Sequence, residues 1–188
     1  MKKNAHILVG ITGSISVLNL PAYLGFLKYH YTDVNVIMTE AAARLLPPST
    51  VALFCDDVYE KTDFSVKMGH VEIAKWADIF LVLPATANKL AEAANGLALD
   101  FLSSTMLAHP HPIMFFPNMN QLMWNKASVQ RNIDLLKKDG HIVISPIKKE
   151  AFEVASGTLK TNYLIPDIQH IAEKVNEELL ARETIKSN

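Results

Sequence analysis

Cysteine is almost missing from these 188 residues, with Cys55 standing alone. A single thiol excludes an internal disulfide and fits a reducing compartment. Charge imbalance is missing too. Eighteen Lys and Arg against 19 Asp and Glu leave a net charge of −1, so no excess of one sign draws the chain to nucleic acid or to an anionic membrane. After Met1-Lys2-Lys3 comes a short apolar run interrupted by Gly10 and Gly13. It is too short to span a bilayer and lacks a small-residue cleavage pattern, which makes a soluble, cytoplasmic chain the expectation. Chemical signatures are absent as well. The first strand is followed by neither G-x-G-x-x-G nor the lysine of a nucleotide-triphosphate loop. No G-x-S-x-G elbow occurs. His109 and His111 alternate with prolines and have no neighbouring Cys or carboxylate to complete a ligand set, so no metal is expected. Internal repeats, linkers and low-complexity tracts are also absent.

What is present is a rhythm. Hydrophobic residues make up 49%, enough to build one core without covalent staples. Apolar runs at 6–11, 34–38, 79–83, 113–116 and 141–145 predict buried strands. Helices are expected at 14–31, 40–46 (stopped by Pro47-Pro48), 49–55 (capped by Ser49), 87–95 (closed by Gly96) and 99–108. One or two more cover 119–138. Ile168, Ile171, Val175 and Leu179 mark a last amphipathic helix. The segment 148–162 shows no firm period and reads as a surface flap. Continuous apolar strands alternating with helices predict an α/β fold. Its form is a three-layer, Rossmann-like (flavodoxin-like) parallel sheet with helices on both faces, one domain over 1–188.

In such folds ligands gather beyond the carboxyl ends of the strands. Three strand ends here carry unusual chemistry. GITGSIS at 10–16 places a glycine turn and two hydroxyls at a helix entrance. Backbone N–H groups and the helix dipole there could hold a phosphate, or the segment is a plain turn with a serine cap. LPATAN at 83–88 ends a strand in small and amide residues, with Thr86 a candidate cap. PNMN at 117–120 brackets Met119 with Asn118 and Asn120, either as turn chemistry or as a binding site. His70, in MGHVEIAKWAD, lies at a loop exit before an amphipathic helix and is either a catalytic base or a cap or surface residue. Cys55 in ALFCDD reads as a buried structural thiol.

Taken together, GITGSIS, the loop histidine, LPATAN, AANG and PNMNQLMW resemble the homo-oligomeric flavin-containing cysteine decarboxylases, from about residue 7 to residue 166. Within that family the likeness is to its lantibiotic peptide decarboxylases. The resemblance implies FMN as cofactor and a precursor peptide with a C-terminal cysteine as substrate. It also implies a homo-oligomer of trimers that assemble further into a dodecamer. By the same resemblance Gly13, Ser14 and Ser16, with Thr39 at the second strand end, face the phosphate and ribityl chain. Pro84, Ala85, Thr86 and Asn88 would lie along the flavin. His70 matches the family's active-site histidine, and Asn120 matches the amide that contacts the substrate carboxylate, which makes these two the catalytic candidates. Asn118, Met119 and Asn120, with Ser156 and Gly157 of the flap, would form the substrate side. Leu99 replaces the first acidic residue of many relatives and is left out of the site.

The implied reaction is an oxidative decarboxylation. A carboxylate leaves as CO2 only when the carbanion left behind has an electron sink. Oxidising the cysteine CH2–SH to a thioaldehyde puts C=S beta to the carboxylate, with FMN accepting the hydride, and CO2 loss then gives an aminoenethiol. Free thiols have a pKa of about 8.5, so a base such as His70 would help form the thiolate. A neutral amide at Asn120 positions the carboxylate without strongly stabilising its charge, whereas an arginine would favour the ground state. The small-molecule branch, phosphopantothenoylcysteine decarboxylase, is the alternative. Its members usually carry a flap cysteine that reprotonates the enethiol, and 148–162 contains none. A non-enzymatic flavin-binding subunit is the third possibility, and the retention of His70 and Asn120 argues against it.

Overall fold

The computed structural model describes residues 2–60, 69–153 and 157–186. The chain begins with β1 (Lys3–Ile11), a 3-10 segment (Ile15–Asn19), α1 (Leu20–His30) and β2 (Tyr31–Met38). Next come α2 (Glu40–Leu45), α3 (Pro48–Val51), β3 (Asp57–Tyr59), α4 (His70–Trp76) and β4 (Ile79–Ala85). Then follow α5 (Ala87–Ala94), α6 (Phe101–Ala108), β5 (Ile113–Pro117), β6 (Met119–Asn120) and α7 (Gln121–Trp124). The chain closes with α8 (Ala127–Lys138), β7 (Ile142–Val143), β8 (Ile147–Glu153), β9 (Thr158–Leu164) and α9 (Ile168–Lys186). Among the described residues no helix is long and apolar enough to cross a membrane.

Six strands make a parallel sheet in the order β3-β2-β1-β4-β5-β7. The short β3 outside β2 gives the Rossmann rather than the flavodoxin order. Chain direction across the sheet reverses between β1 and β4, and this reversal opens a crevice beyond their carboxyl ends. Alternate side chains of each strand point to opposite faces, and both faces are apolar. Ile7, Val9, Ile11, Leu81 and Met114 pack with Leu20 and Leu24 of α1 and with Ile171 and Val175 of α9. Leu8, Phe80, Val82 and Phe115 pack with Ile73 of α4, Leu102 of α6 and Leu136 of α8. A Cβ at Gly10 would stand 2.5 Å from Leu102 Cδ1, so β1 omits a side chain where α6 comes closest.

Several expected elements change shape. The helix expected over 14–31 is split, because Pro21 lacks the N–H that would continue an earlier turn and instead starts α1. The helix over 49–55 shrinks to α3, and the strand over 141–145 to two residues. Pro84 does not end β4, which runs on to Ala85 through a cis Leu83–Pro84 bond. The region 119–138 opens with a short strand before its two helices. The flap is an antiparallel hairpin of β8 and β9, and β9 pairs with β6 through Met119↔Tyr163 and Asn120↔Asn162. Exposed and half-buried positions run along β9, so the two-residue hydrophobic period that would have announced a strand is not there.

His109 shows what burial does to a polar group here. It is only 9% exposed, donates from Nδ1 to the Ala74 carbonyl at 2.7 Å and meets the edge of Phe80. Burial pushes its pKa down to about 4, against the opposing pull of the Ala74 hydrogen bond. The ring therefore stays neutral when folded, while in the unfolded chain it takes a proton near 6.5. Its contribution is complete above about 6.5 and is lost as pH falls toward about 4, roughly 3 kcal/mol in all. Urea unfolding at pH 7 and pH 4 should therefore show a smaller acid loss for His109→Gln than for wild type. An equal loss would remove His109 from acid destabilisation.

Candidate active site

The crevice is held open by a residue between the two central strand ends. Thr12, 1% exposed, donates from its hydroxyl to Pro84 O at 2.7 Å and accepts from Thr86 N at 3.0 Å. Thr39 caps α2 by accepting from Ala42 N, and Thr86 caps α5 by accepting from Lys89 N. A Cβ on Gly13 would lie 2.5 Å from Ala41 Cβ, so the loop rests directly on α2. Thr12, Gly13, Thr39, Thr86 and Asn88 line a cavity of about 470 Å³, inside the range of about 300–1,000 Å³ usual for small-molecule sites.

Beside Asn88, lining the same cavity, lies an ionic cluster of Lys89, Glu92 and Asp100. Lys89 and Glu92 are 2% and 5% exposed. The Lys89 ammonium donates to Glu92 Oε2 and, at 2.8 Å, to Asp100 Oδ2, and Asn88 Nδ2 donates to Glu92 Oε1 at 2.5 Å. Asp100 also caps α6, accepting from Ser103 N at 2.7 Å. Burial works to raise the Asp100 carboxyl, but hydrogen bonds from Lys89 and Ser103 and the Lys89 charge hold it below the usual carboxylate range.

The amide motif ties the crevice to the hairpin. Asn118, 4% exposed, accepts at Oδ1 from the Ser14 hydroxyl and donates from Nδ2 to Tyr163 O at 2.8 Å. Its backbone N donates to Ala85 O at 3.0 Å. Met119 is buried, and Trp124 stacks on Tyr163 with centroids 5.0 Å apart. Asn120 caps α7, its Oδ1 accepting from Met123 N at 2.9 Å. The Asn120 NH2 makes no hydrogen bond with another described residue. Gly157 turns the hairpin at φ +64°, a left-handed conformation that suits glycine.

A family model described as Flavoprotein matches residues 1–178. The chain belongs to the flavoprotein family. This flavoprotein is 50% identical over 161 residues to mersacidin decarboxylase of Bacillus sp. (strain HIL-Y85/54728), covering 85% of its own length and 83% of that protein. It is 39% identical over 151 residues to the coenzyme A biosynthesis bifunctional protein CoaBC of Bacillus subtilis (strain 168), covering 78% of itself but 37% of that protein. Among solved structures it is similar to a histidine-to-asparagine variant of EpiD complexed with the substrate peptide DSYTC. That likeness has a TM-score of 0.83 and 33% identity, and covers 96% of this chain and 99% of the other.

The flavoprotein's fold brings Gly13, Thr39, Thr86 and Asn88 into one cavity wall. Pro84 and Ala85 are buried at the end of β4, so they shape the crevice through their backbone. Ser14 turns toward Asn118. Ser16 is 5% exposed in the 3-10 segment and its hydroxyl bonds no other described residue. His70 is exposed as the first residue of α4, a helix that leads back to the start of β4, so it lies toward the carboxyl edge of the sheet. It lines no part of the 470 Å³ cavity and its ring bonds no other described residue. Ser156 falls outside the described residues. The sequence reading missed Thr12, Lys89, Glu92 and Asp100. Asp100 with Ser103 forms a capping box that could have revealed one of them. Cys55 stands apart, its thiol pushed up to about 12 by burial and by Asp56 and Asp57, the state of an inert thiol. A flavin suits this crevice: the volume is adequate, the lining combines hydroxyls and the Asn88 amide with the charged Glu40, Arg44, Lys89, Glu92 and Asp100, and Gly13 keeps the loop bare of side chain.

Proposed function

We propose that this chain, as a single flavoprotein domain over 1–188, is an FMN-dependent peptidyl-cysteine decarboxylase. It oxidises and decarboxylates the C-terminal cysteine of a ribosomally made precursor peptide to an aminoenethiol, in lantibiotic-type maturation. The observation that carries this reading is the linkage of Asn118 to both the Ser14 loop and the hairpin strand β9, which sets a cofactor crevice beside a surface able to cover an extended peptide. Half-identity to mersacidin decarboxylase over most of both chains supports it. Bound FMN supplies the two-electron acceptor. Gly13, Ser14, Ser16, Thr39, Pro84, Ala85, Thr86 and Asn88 hold it. The Asn120 NH2, free of partners among the described residues, donates to the substrate carboxylate. Asn118 and Met119 shape that end of the site, and Ser156 and Gly157 belong to the cover. His70 takes the thiol proton.

The small-molecule alternative is less well supported. Residues 148–162 hold no cysteine to reprotonate an enethiol. Assembly as trimers built into a dodecamer belongs to the same proposal. Exposed Leu97, Leu99, Leu107 and Leu122 support burial between copies. A cytoplasmic location fits the lone, unpaired thiol.

Mass spectrometry of peptides incubated with the purified protein tests the reading. Peptides ending in cysteine should lose CO2 and two hydrogens together, and amidating their C-terminus should abolish the reaction. Phosphopantothenoylcysteine should react poorly. Its efficient turnover to a saturated thiol, with peptides inert, would reverse the assignment.

A further inference from the structure

We infer that Lys89, Glu92 and Asp100 are positioning residues that lock the Asn88 amide with its carbonyl oxygen toward the crevice, where it accepts the ring N–H of the flavin. This rests on the FMN reading above and adds a specificity-determining contact to it. The orientation follows from hydrogen-bond chemistry. A carboxylate accepts and does not donate, so the group facing Glu92 Oε1 at 2.5 Å must be the Asn88 NH2. Oδ1 is left pointing elsewhere and bonds no other described residue. Asn88 lines the 470 Å³ cavity together with Lys89, Glu92 and Asp100; because its NH2 is engaged by Glu92, the group it has left to offer a ligand there is the acceptor oxygen.

The three charged residues explain why the amide cannot turn over. A carboxylate as buried as Glu92 requires a positive partner, and Lys89 provides it three residues earlier on the same helix. Lys89 is itself buried and is shared with Asp100, which the first turn of α6 holds through Ser103 N and Oγ. A surface helix could carry the same Lys and Glu in solvent. Here the start of α6 covers them, which spends two buried charges on the direction of one amide. Oxidised isoalloxazine has a single ring N–H, at the imide position, so an outward acceptor matches that atom, whereas an outward NH2 would match its carbonyl oxygens instead.

The test uses the full chain stripped of flavin and titrated with FMN and with 3-methyl-FMN, which lacks the N–H, following flavin fluorescence. Wild type should prefer FMN about tenfold, the scale of one hydrogen bond. Glu92→Gln frees the amide to turn and should erase the preference. Asn88→Ala, at an exposed position of α5 where the fold has little at stake, should do the same. Asn88→Asp combined with Glu92→Gln exchanges donor and acceptor across the pair and should restore it. A preference kept by both single variants, or equal binding of the two flavins by wild type, overturns the positioning role. Failure of wild type to bind FMN at all overturns the flavin reading instead.

Discussion

His70→Asn should lower turnover of a peptide ending in cysteine by about two to four orders of magnitude, the usual worth of a general base, and should leave FMN affinity and thermal stability unchanged. The separation comes from where the residue sits. His70 is exposed at the start of α4. The cap at that helix end is made without it, by Gly69 N donating to Glu72 Oε2 at 2.5 Å. It lines no part of the cofactor cavity, so neither fold nor cofactor depends on its ring. Asparagine keeps the polarity but cannot exchange a proton near neutral pH. Single-turnover kinetics beside an FMN titration separates the cases. Full activity would take His70 out of the site, and lost FMN would reassign it to cofactor holding.

Lys89→Met should cost about 3 kcal/mol, the lower end of what breaking a buried ion pair costs. The variant keeps the aliphatic length but strands the Glu92 carboxylate, which is 5% exposed. Asp100 adds less, because its side chain is 41% exposed and water can replace the lost ammonium. Urea unfolding reads the loss directly. Lys89→Met with Glu92→Leu should recover most of it, since apolar replacement of a whole buried pair is often neutral. A single variant as stable as wild type would mean that Glu92 is solvated in solution.

Strands were legible wherever burial on both faces gave a mostly apolar run, as in β1, β4, β5 and, around the buried Asn35, β2. From these the carboxyl-edge crevice followed. The three-residue β3 and two-residue β7 are too short to carry a period, and their pairing depends on the neighbouring strand. The hairpin escaped because its pairing partner, β6, lies within the amide motif itself. Polar strand ends marked Gly13, Thr39, Thr86 and Asn88, which the fold gathers on one cavity wall. They could not reveal Lys89 and Glu92, because a lysine three residues before a glutamate on a helix has the same pattern in solvent as under a second helix. The covering turn that decides between them begins at Asp100, 11 residues after Lys89, and contact at that distance leaves no periodic trace. Thr12 looked like one more small residue in a turn, and its two bonds exist only because β1 and β4 are neighbours.

The side chain of Asn118 carries an obligation in two directions. With one atom it receives the Ser14 hydroxyl of the cofactor loop, and with another it reaches the Tyr163 carbonyl of the hairpin. If cofactor and peptide each bias the same setting of this amide, their affinities are no longer separate properties. Whatever factor FMN adds to peptide binding, the peptide must return to FMN binding, because such linkage is reciprocal. Product departure would then loosen the cofactor at the same step, making the resting enzyme between turnovers the form most prone to lose its flavin.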